Sequence, residues 1–194
     1  MQSLLSSTNK RSEIVVSAIE LFARKGYDGT TIRDISGAAG VTDGAMYRHF
    51  SGKEELARLI LEALVVEYSD GMIKVLAEYP DAKQRIKGAV DLTYEFYKKY
   101  PSAMCFALKS QHNLWEAIDE SIIHPHTMIN RIIEEGLAAG EIKQGDLLTL
   151  GGLFAGALME PMNFHFYLDE GSGDIGEMAV EVNKRIQMML ISKN

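Results

Sequence analysis

Residues 30–50 read TTIRDISGAAGVTDGAMYRHF, and the spacing within this stretch decides the fold. Thr31 can cap a helix, with Asp34 three positions on as a variant of the capping box. That helix turns Ile32, Ile35 and Ala39 to one side and stops at Gly40. Thr42 then caps a second helix running to about Phe50. Two short helices joined by a tight, glycine-containing turn have the geometry that places the second in a DNA major groove. At about 100° per residue, Met46 and Phe50 share the inner side of the second helix. Arg48 lies opposite, flanked by Gly44 and Ala45, with Tyr47 and His49 at the margins. The chain is therefore expected to bind double-stranded DNA through Thr31, Arg33, Thr42, Asp43, Gly44, Ala45, Tyr47, Arg48, His49 and Lys53. Thr31, Thr42, Tyr47 and Lys53 suit phosphate contacts, Arg48 suits a guanine edge, and His49 suits either. Closing the small core is the competing role for Tyr47 and His49.

Working outward, Val15, Ala18, Ile19 and Phe22 form the stripe of a preceding helix that stops at Gly26. Downstream, Ser51 and Glu54 form a capping box for a fourth helix, with Leu56, Leu59, Ile60, Ala63 and Leu64 in phase. It continues to Tyr79, before Pro80, as a rod of about 40 Å. Asp81 with Gln84, and Asn113 with Glu116, mark further helix starts, and breaks fall near Pro101, His124-Pro125 and Gly140. The last two helices span about Asp146 to Leu168 and Ile175 to Ile191. Their stripes are Leu147, Leu150, Phe154, Leu158 and Ile175, Ala179, Val182, Ile186, Met189. The fold expected is all-α with about nine helices. A three-helix helix-turn-helix domain at 1–55 is joined by the long fourth helix to an antiparallel helical bundle at 56–194.

With 46% hydrophobic and 24% charged residues, the 194-residue chain has an ordinary globular composition. Its formal charge of -7 is unevenly spread. Residues 1–55 hold seven basic and seven acidic side chains, so the whole acidic excess lies beyond them. An acidic body repels phosphate and disfavours any DNA-binding orientation except one led by the N-terminal end. The single cysteine, Cys105, and the absence of a secretory signal point to a reducing, cytoplasmic setting. Leu147 to Met159 is too short an apolar run for a membrane span and reads as a buried helix.

The stretch LFARKGYDGTTIRDISGAAGVTDGAMYRHFSGKEEL, within a match over about Arg11 to Leu64, resembles the TetR/AcrR family of one-component transcriptional regulators. The shared pattern is a glycine-ended first helix, a Thr-rich helix start, an Ala-Ala-Gly-Val turn and a Tyr-x-x-Phe-x-x-Lys-Glu-x-Leu tail. Asp43 departs from it, standing where relatives often carry a basic or neutral residue. The resemblance implies a homodimer built on the last two helices and a ligand pocket inside each helical body. Gly152, Ala155 and Gly156 permit close helix approach and, with Val182, Ile186 and Met189, are the expected interface; making room in the core is the other role for the glycines. Pocket candidates are Tyr94, Tyr97, Met104, Phe106, His112, Trp115, Met159 and His165, a set suited to a mostly apolar molecule and equally to core packing. Pro161 is expected to kink the penultimate helix.

Gly171, Gly173 and Gly176 spell GxGxxG, but no strand precedes them and no acidic residue follows about 20 positions on, so they read as a loop. His124 and His126, with Glu120 and His112 upstream, form a weak metal pattern, and a metal-sensing regulator of the same fold is the alternative to an organic effector. A helical-bundle enzyme and a structural module are the other classes. Only a ligand-responsive DNA-binding regulator explains residues 30–50. The expectation is a repressor released from a palindromic operator by a small molecule, with no catalytic residues, cofactor or resident metal.

Overall fold

In the computed structural model, residues 1–5, 9–110, 112–116, 118–168 and 173–192 are described. The described residues are helical almost throughout, in eleven segments. These are α1 (Gln2–Leu5), α2 (Lys10–Lys25), α3 (Ile32–Ala38), α4 (Asp43–Tyr47), α5 (Lys53–Glu78) and α6 (Ala82–Lys99). They continue as α7 (Pro101–Lys109), α8 (His112–Glu116), α9 (Pro125–Ala138), α10 (Leu147–Leu168) and α11 (Ile175–Leu190). Against about nine expected, α1 is an unexpected segment of four residues, and the helix expected to start at Asn113 is α8, of only five. A single turn is too short to show a hydrophobic stripe. Asn113 falls inside α8 rather than before it.

Local chemistry sets most boundaries. Asn9 and Ser12 form a reciprocal capping box on α2, and Thr31 and Asp34 form one on α3. Gly26, Gly40 and Gly140 take φ of 77°, 62° and 71° where helices end, a region that costs L side chains strain. Asp81 Oδ1 accepts from the Gln84 amide at 2.8 Å, and Pro101 and Pro125 open α7 and α9. At α5 the expected box is shifted by one residue: the Ser51 amide donates to Glu55, not Glu54.

Packing divides the chain into two compact units that cut across the expected boundary after residue 55. The first is Met1–Glu67 with Tyr100–Ile122; the second is Tyr68–Lys99 with Ile123–Asn194. In the first, Ile14, Val15, Ala18, Phe22, Ile35, Met46, Leu56 and Ile60 are wholly buried. Phe22 stacks on Phe106 of α7 at 4.9 Å, and Lys109 Nζ donates to the Ala23 carbonyl at 2.6 Å. A segment far along the chain thus completes the core under α2, and a lysine satisfies one of its C-terminal carbonyls.

The second unit packs α6, α9, α10 and α11 around Tyr94, Tyr97, Ile132, Phe154, Leu158 and Ile186, each at most 1% exposed. Tyr68 donates to Thr93 Oγ1 (2.7 Å), which donates to the Ala89 carbonyl (2.6 Å), so these buried hydroxyls are paired. Burial pushes the Tyr68 phenol up to about 12. Arg85 pairs with Glu135 between α6 and α9. Residues 147–159 belong to α10, but that helix is not buried all round. Gly151, Phe154 and Leu158 face inward, whereas Leu148 is 80% and Leu153 49% exposed. Gly176 lies inside α11 instead of in a loop, and Gly171 lies outside the described residues.

Candidate nucleic-acid interface

The first unit holds α3 and α4 against α2 through their inner faces. Ile35, Met46 and Phe50 are at most 2% exposed, and the Arg11 guanidinium lies 5.0 Å from the Phe50 ring centroid. α4 ends at Tyr47 and not near Phe50; what remains outside on it and on the turn that follows is Asp43, Gly44, Tyr47, the C-cap Arg48 and His49, all exposed, with Ala45 half-buried. Tyr47 is 55% exposed, so it does not close the core, and neither does the exposed His49. A Cβ placed on Gly44 would meet nothing within 4 Å. The protein's own packing therefore does not require glycine there.

The basic residues of this region are mostly committed. Lys10 pairs with Glu13, Arg24 with Glu20 and Lys25 with Asp34. Among the described residues, the Arg33 and Arg48 guanidinium groups have no ion-pair or hydrogen-bond partner, and both residues are exposed. Lys53 is different from the surface cation expected. It is half-buried, its Nζ donates to the Tyr27 and Thr30 carbonyls at 2.9 Å each, and it sits 4.2 Å from the Tyr27 ring centroid. An ammonium has three donors. Two of them fasten the turn before α3 to the start of α5.

Thr31 is similarly occupied: its hydroxyl accepts from the Asp34 amide (3.1 Å) and donates to Asp34 Oδ2 (2.7 Å). The Thr31 side-chain and backbone hydrogen bonds, then Lys25, hold the Asp34 carboxyl down to about 2. Thr42 accepts from the Ala45 amide at 3.1 Å and keeps its hydroxyl proton for an outside acceptor. Sequence reasoning missed Tyr27, Thr30 and Ser36. Thr30 is buried and donates to the Gly26 carbonyl at 2.8 Å; Ser36 donates to Asp43. A polar residue on an inward helix face was the available signal for Ser36.

The remaining candidates scatter. Met104, Phe106 and Trp115 belong to the first unit, where Phe106 fills the core beside Phe22. The His112 side chain lies outside the described residues. In the second unit Tyr94 is buried with its hydroxyl 3.4 Å from the Leu158 carbonyl, Tyr97 meets His165 Nδ1 at 3.0 Å, and Met159 is half-buried. An open cleft of about 230 Å³ in this unit is lined by Asp81, Lys83, Glu141, Ile191 and Ser192, none of them a candidate. Val182 and Ile186, expected at an interface, are 8% and 0% exposed inside their own chain. They turn toward the core, whereas Met189 and Ala155 are half-buried and Gly152 is exposed. Among the described residues the Asn163 side-chain oxygen is buried without a partner. Pro161 lies within α10, whose helix runs on through it. Among the described residues no group of three or more His, Cys, Asp or Glu can hold a metal ion, and no helix is long and apolar enough to cross a membrane.

Two capped short helices with a buried inner face and an unpaired, partly side-chain-free outer face define a helix-turn-helix module on an all-helical chain. Residues 14–60 match the family model of bacterial regulatory proteins, tetR family. The HTH-type transcriptional repressor KstR2 of Rhodococcus jostii is 32% identical over 88 residues, 45% of this chain and 43% of the relative. The match thus spans less than half of that protein's length. The ketosteroid transcriptional regulator KstR2 of Mycobacterium tuberculosis superposes with a TM-score of 0.81 at 16% identity, covering 96% of this chain and 97% of that one. FadR from Bacillus subtilis, solved in complex with stearoyl-CoA, gives 0.72 at 22% identity, covering 90% and 96%. Over residues 14–60 the chain thus carries the domain of bacterial regulatory proteins of the tetR family.

Proposed function

We propose that this protein is a ligand-responsive, DNA-binding transcriptional regulator, a repressor that leaves a palindromic operator when a mostly apolar small molecule binds its second unit. The observation that carries the reading is the outer face of α4. It combines an unpaired Arg48, an exposed Tyr47, and Gly44, whose missing side chain leaves space no part of the chain uses. Close backbone approach to DNA explains that space. Arg33 supplies a second uncommitted cation, while Lys53 and Thr31 hold the module in shape. The test is selection of duplexes from a random pool by the purified chain. A recurring half-site repeated one or more helical turns apart supports the reading, and a pool that stays random refutes it.

A homodimer fits the outward faces of the last two helices. Leu148, Leu153, Phe164 and Tyr167 on α10, with Val180 and Met188 on α11, are 49–80% exposed. A second copy laid over them buries this apolar surface, and Gly152 and Gly156 admit close backbone approach. For the effector, the aromatic group of buried Tyr94 and Tyr97 and half-buried His165 in the second unit suits, once opened, an acyl or sterol-like molecule, the chemistry named for FadR and KstR2. Release requires that such a ligand bind the two conformations with different affinity. Titrating acyl-CoA thioesters against operator-bound protein tests this directly, with metal salts as the competing arm.

A further inference from the structure

Asp43 is the residue least expected on a DNA-facing helix, and its surroundings show how it is held. It opens α4 beside the cap residue Thr42, and the hydroxyl of Ser36, on α3, donates to its Oδ1. Ser36 is 2% exposed, and its oxygen also lies 3.3 Å from the Arg33 carbonyl. The single hydroxyl proton goes to the carboxylate as the stronger acceptor. Asp43 itself is exposed, and its Oδ2 has no partner among the described residues. The result is a carboxylate with one oxygen tied back to the turn and the other presented outward in a fixed direction.

We infer that Asp43 reads a cytosine in each half-site, and that Ser36 is the positioning residue that aims it. The inference rests on the DNA-binding reading above. An ionised carboxylate only accepts hydrogen bonds, and phosphate offers it no donor and repels it. Its productive partner is therefore a base amino group. In the major groove cytosine presents N4–H2, whereas guanine presents only acceptors and adenine sets an N7 acceptor beside its amino group. The first residues of a recognition helix are those that reach base edges. Because Ser36 fixes the carboxylate before DNA arrives, less side-chain freedom is lost on binding.

The experiment is duplex selection with the wild-type chain, Asp43→Ala, Asp43→Asn and Ser36→Ala, each first checked for unchanged helical circular dichroism. The wild type is expected to prefer cytosine at one half-site position by about 5- to 150-fold. Asp43→Ala removes that preference there alone, Asp43→Asn shifts it toward adenine, and Ser36→Ala lowers it several-fold at the same position. A wild-type motif that survives Asp43→Ala unchanged, or weakening by the same factor on every sequence, overturns the inference but leaves DNA binding intact. Wild-type base preferences unaltered by Ser36→Ala overturn the positioning role. A wild-type chain that selects no motif overturns the DNA-binding reading itself.

Discussion

Arg48 and Lys53 lie five residues apart and do opposite things. Arg48 reaches solvent uncommitted, so Arg48→Ala is expected to relax preference at one base position while melting temperature holds. Lys53 already serves the Tyr27 and Thr30 carbonyls. Lys53→Met leaves those acceptors short and is expected to cost about 1–3 kcal/mol in urea unfolding; an unmoved midpoint would refute the fastening role. Gly44→Ala has room for its Cβ within the chain, so folding should persist while DNA binding is weakened, and fully retained binding would show that DNA does not approach there. Asp34 supplies a pH dependence. Its carboxyl is held at about 2 in the fold, below its ordinary value near 4, so its contribution is present above that value and fades as pH falls toward 2. Asp34→Asn should flatten stability across that acid window, and an unchanged acid slope would contradict it. The outer face of α4 was legible because helical phase alone separates Met46 and Phe50 from Arg48. The Thr31 cap on Asp34 was legible too, but the work of Lys53 was not, because backbone carbonyls leave no mark in a residue pattern.

At the scale of elements, glycine spacing means different things in α9 and α10. A Cβ on Gly136 would lie 2.6 Å from Ile142 Cδ1 and 2.9 Å from the Ala82 Cβ, with little freedom to yield. Alanine there gains up to about 1 kcal/mol of helix propensity but overpacks by about 1–3, so Gly136→Ala should lower the unfolding midpoint. Gly152 and Gly156 meet nothing within 4 Å. The double change to alanine should leave a monomer no less stable yet weaken the dimer in sedimentation velocity; an unchanged association constant would move the interface elsewhere. Caps at Thr31, Thr42 and Asp81 and stops at Gly26 and Gly40 made helix order readable, since each acts within four residues of itself. The orientation of α10 and α11 was less readable. Both have apolar residues on two sides, and only packing shows that Val182 and Ile186 turn inward while Val180 and Met188 turn out.

For the whole molecule, charge and packing divide the chain differently. Residues 1–55 are neutral and the remainder carries the acidic excess, but the compact unit containing α2, α3 and α4 also takes in Tyr100–Ile122. That return of the chain could not be read from sequence, because the Phe22 to Phe106 contact joins residues 84 positions apart whose local patterns are independent. In it Phe106 fills the core beside Phe22, while the candidates Tyr94, Tyr97 and His165 belong to the second unit. The central claim is that the exposed face of α4 reads DNA sequence. Its most direct test is the affinity of the full chain for its selected duplex and for random duplex, with and without Arg48→Ala, over a range of salt. The account predicts that the selected duplex is bound at least about a thousandfold more tightly, and that Arg48→Ala erodes this ratio more than it changes the salt slope. Equal affinity for selected and random duplex, or a ratio untouched by Arg48→Ala, would contradict it.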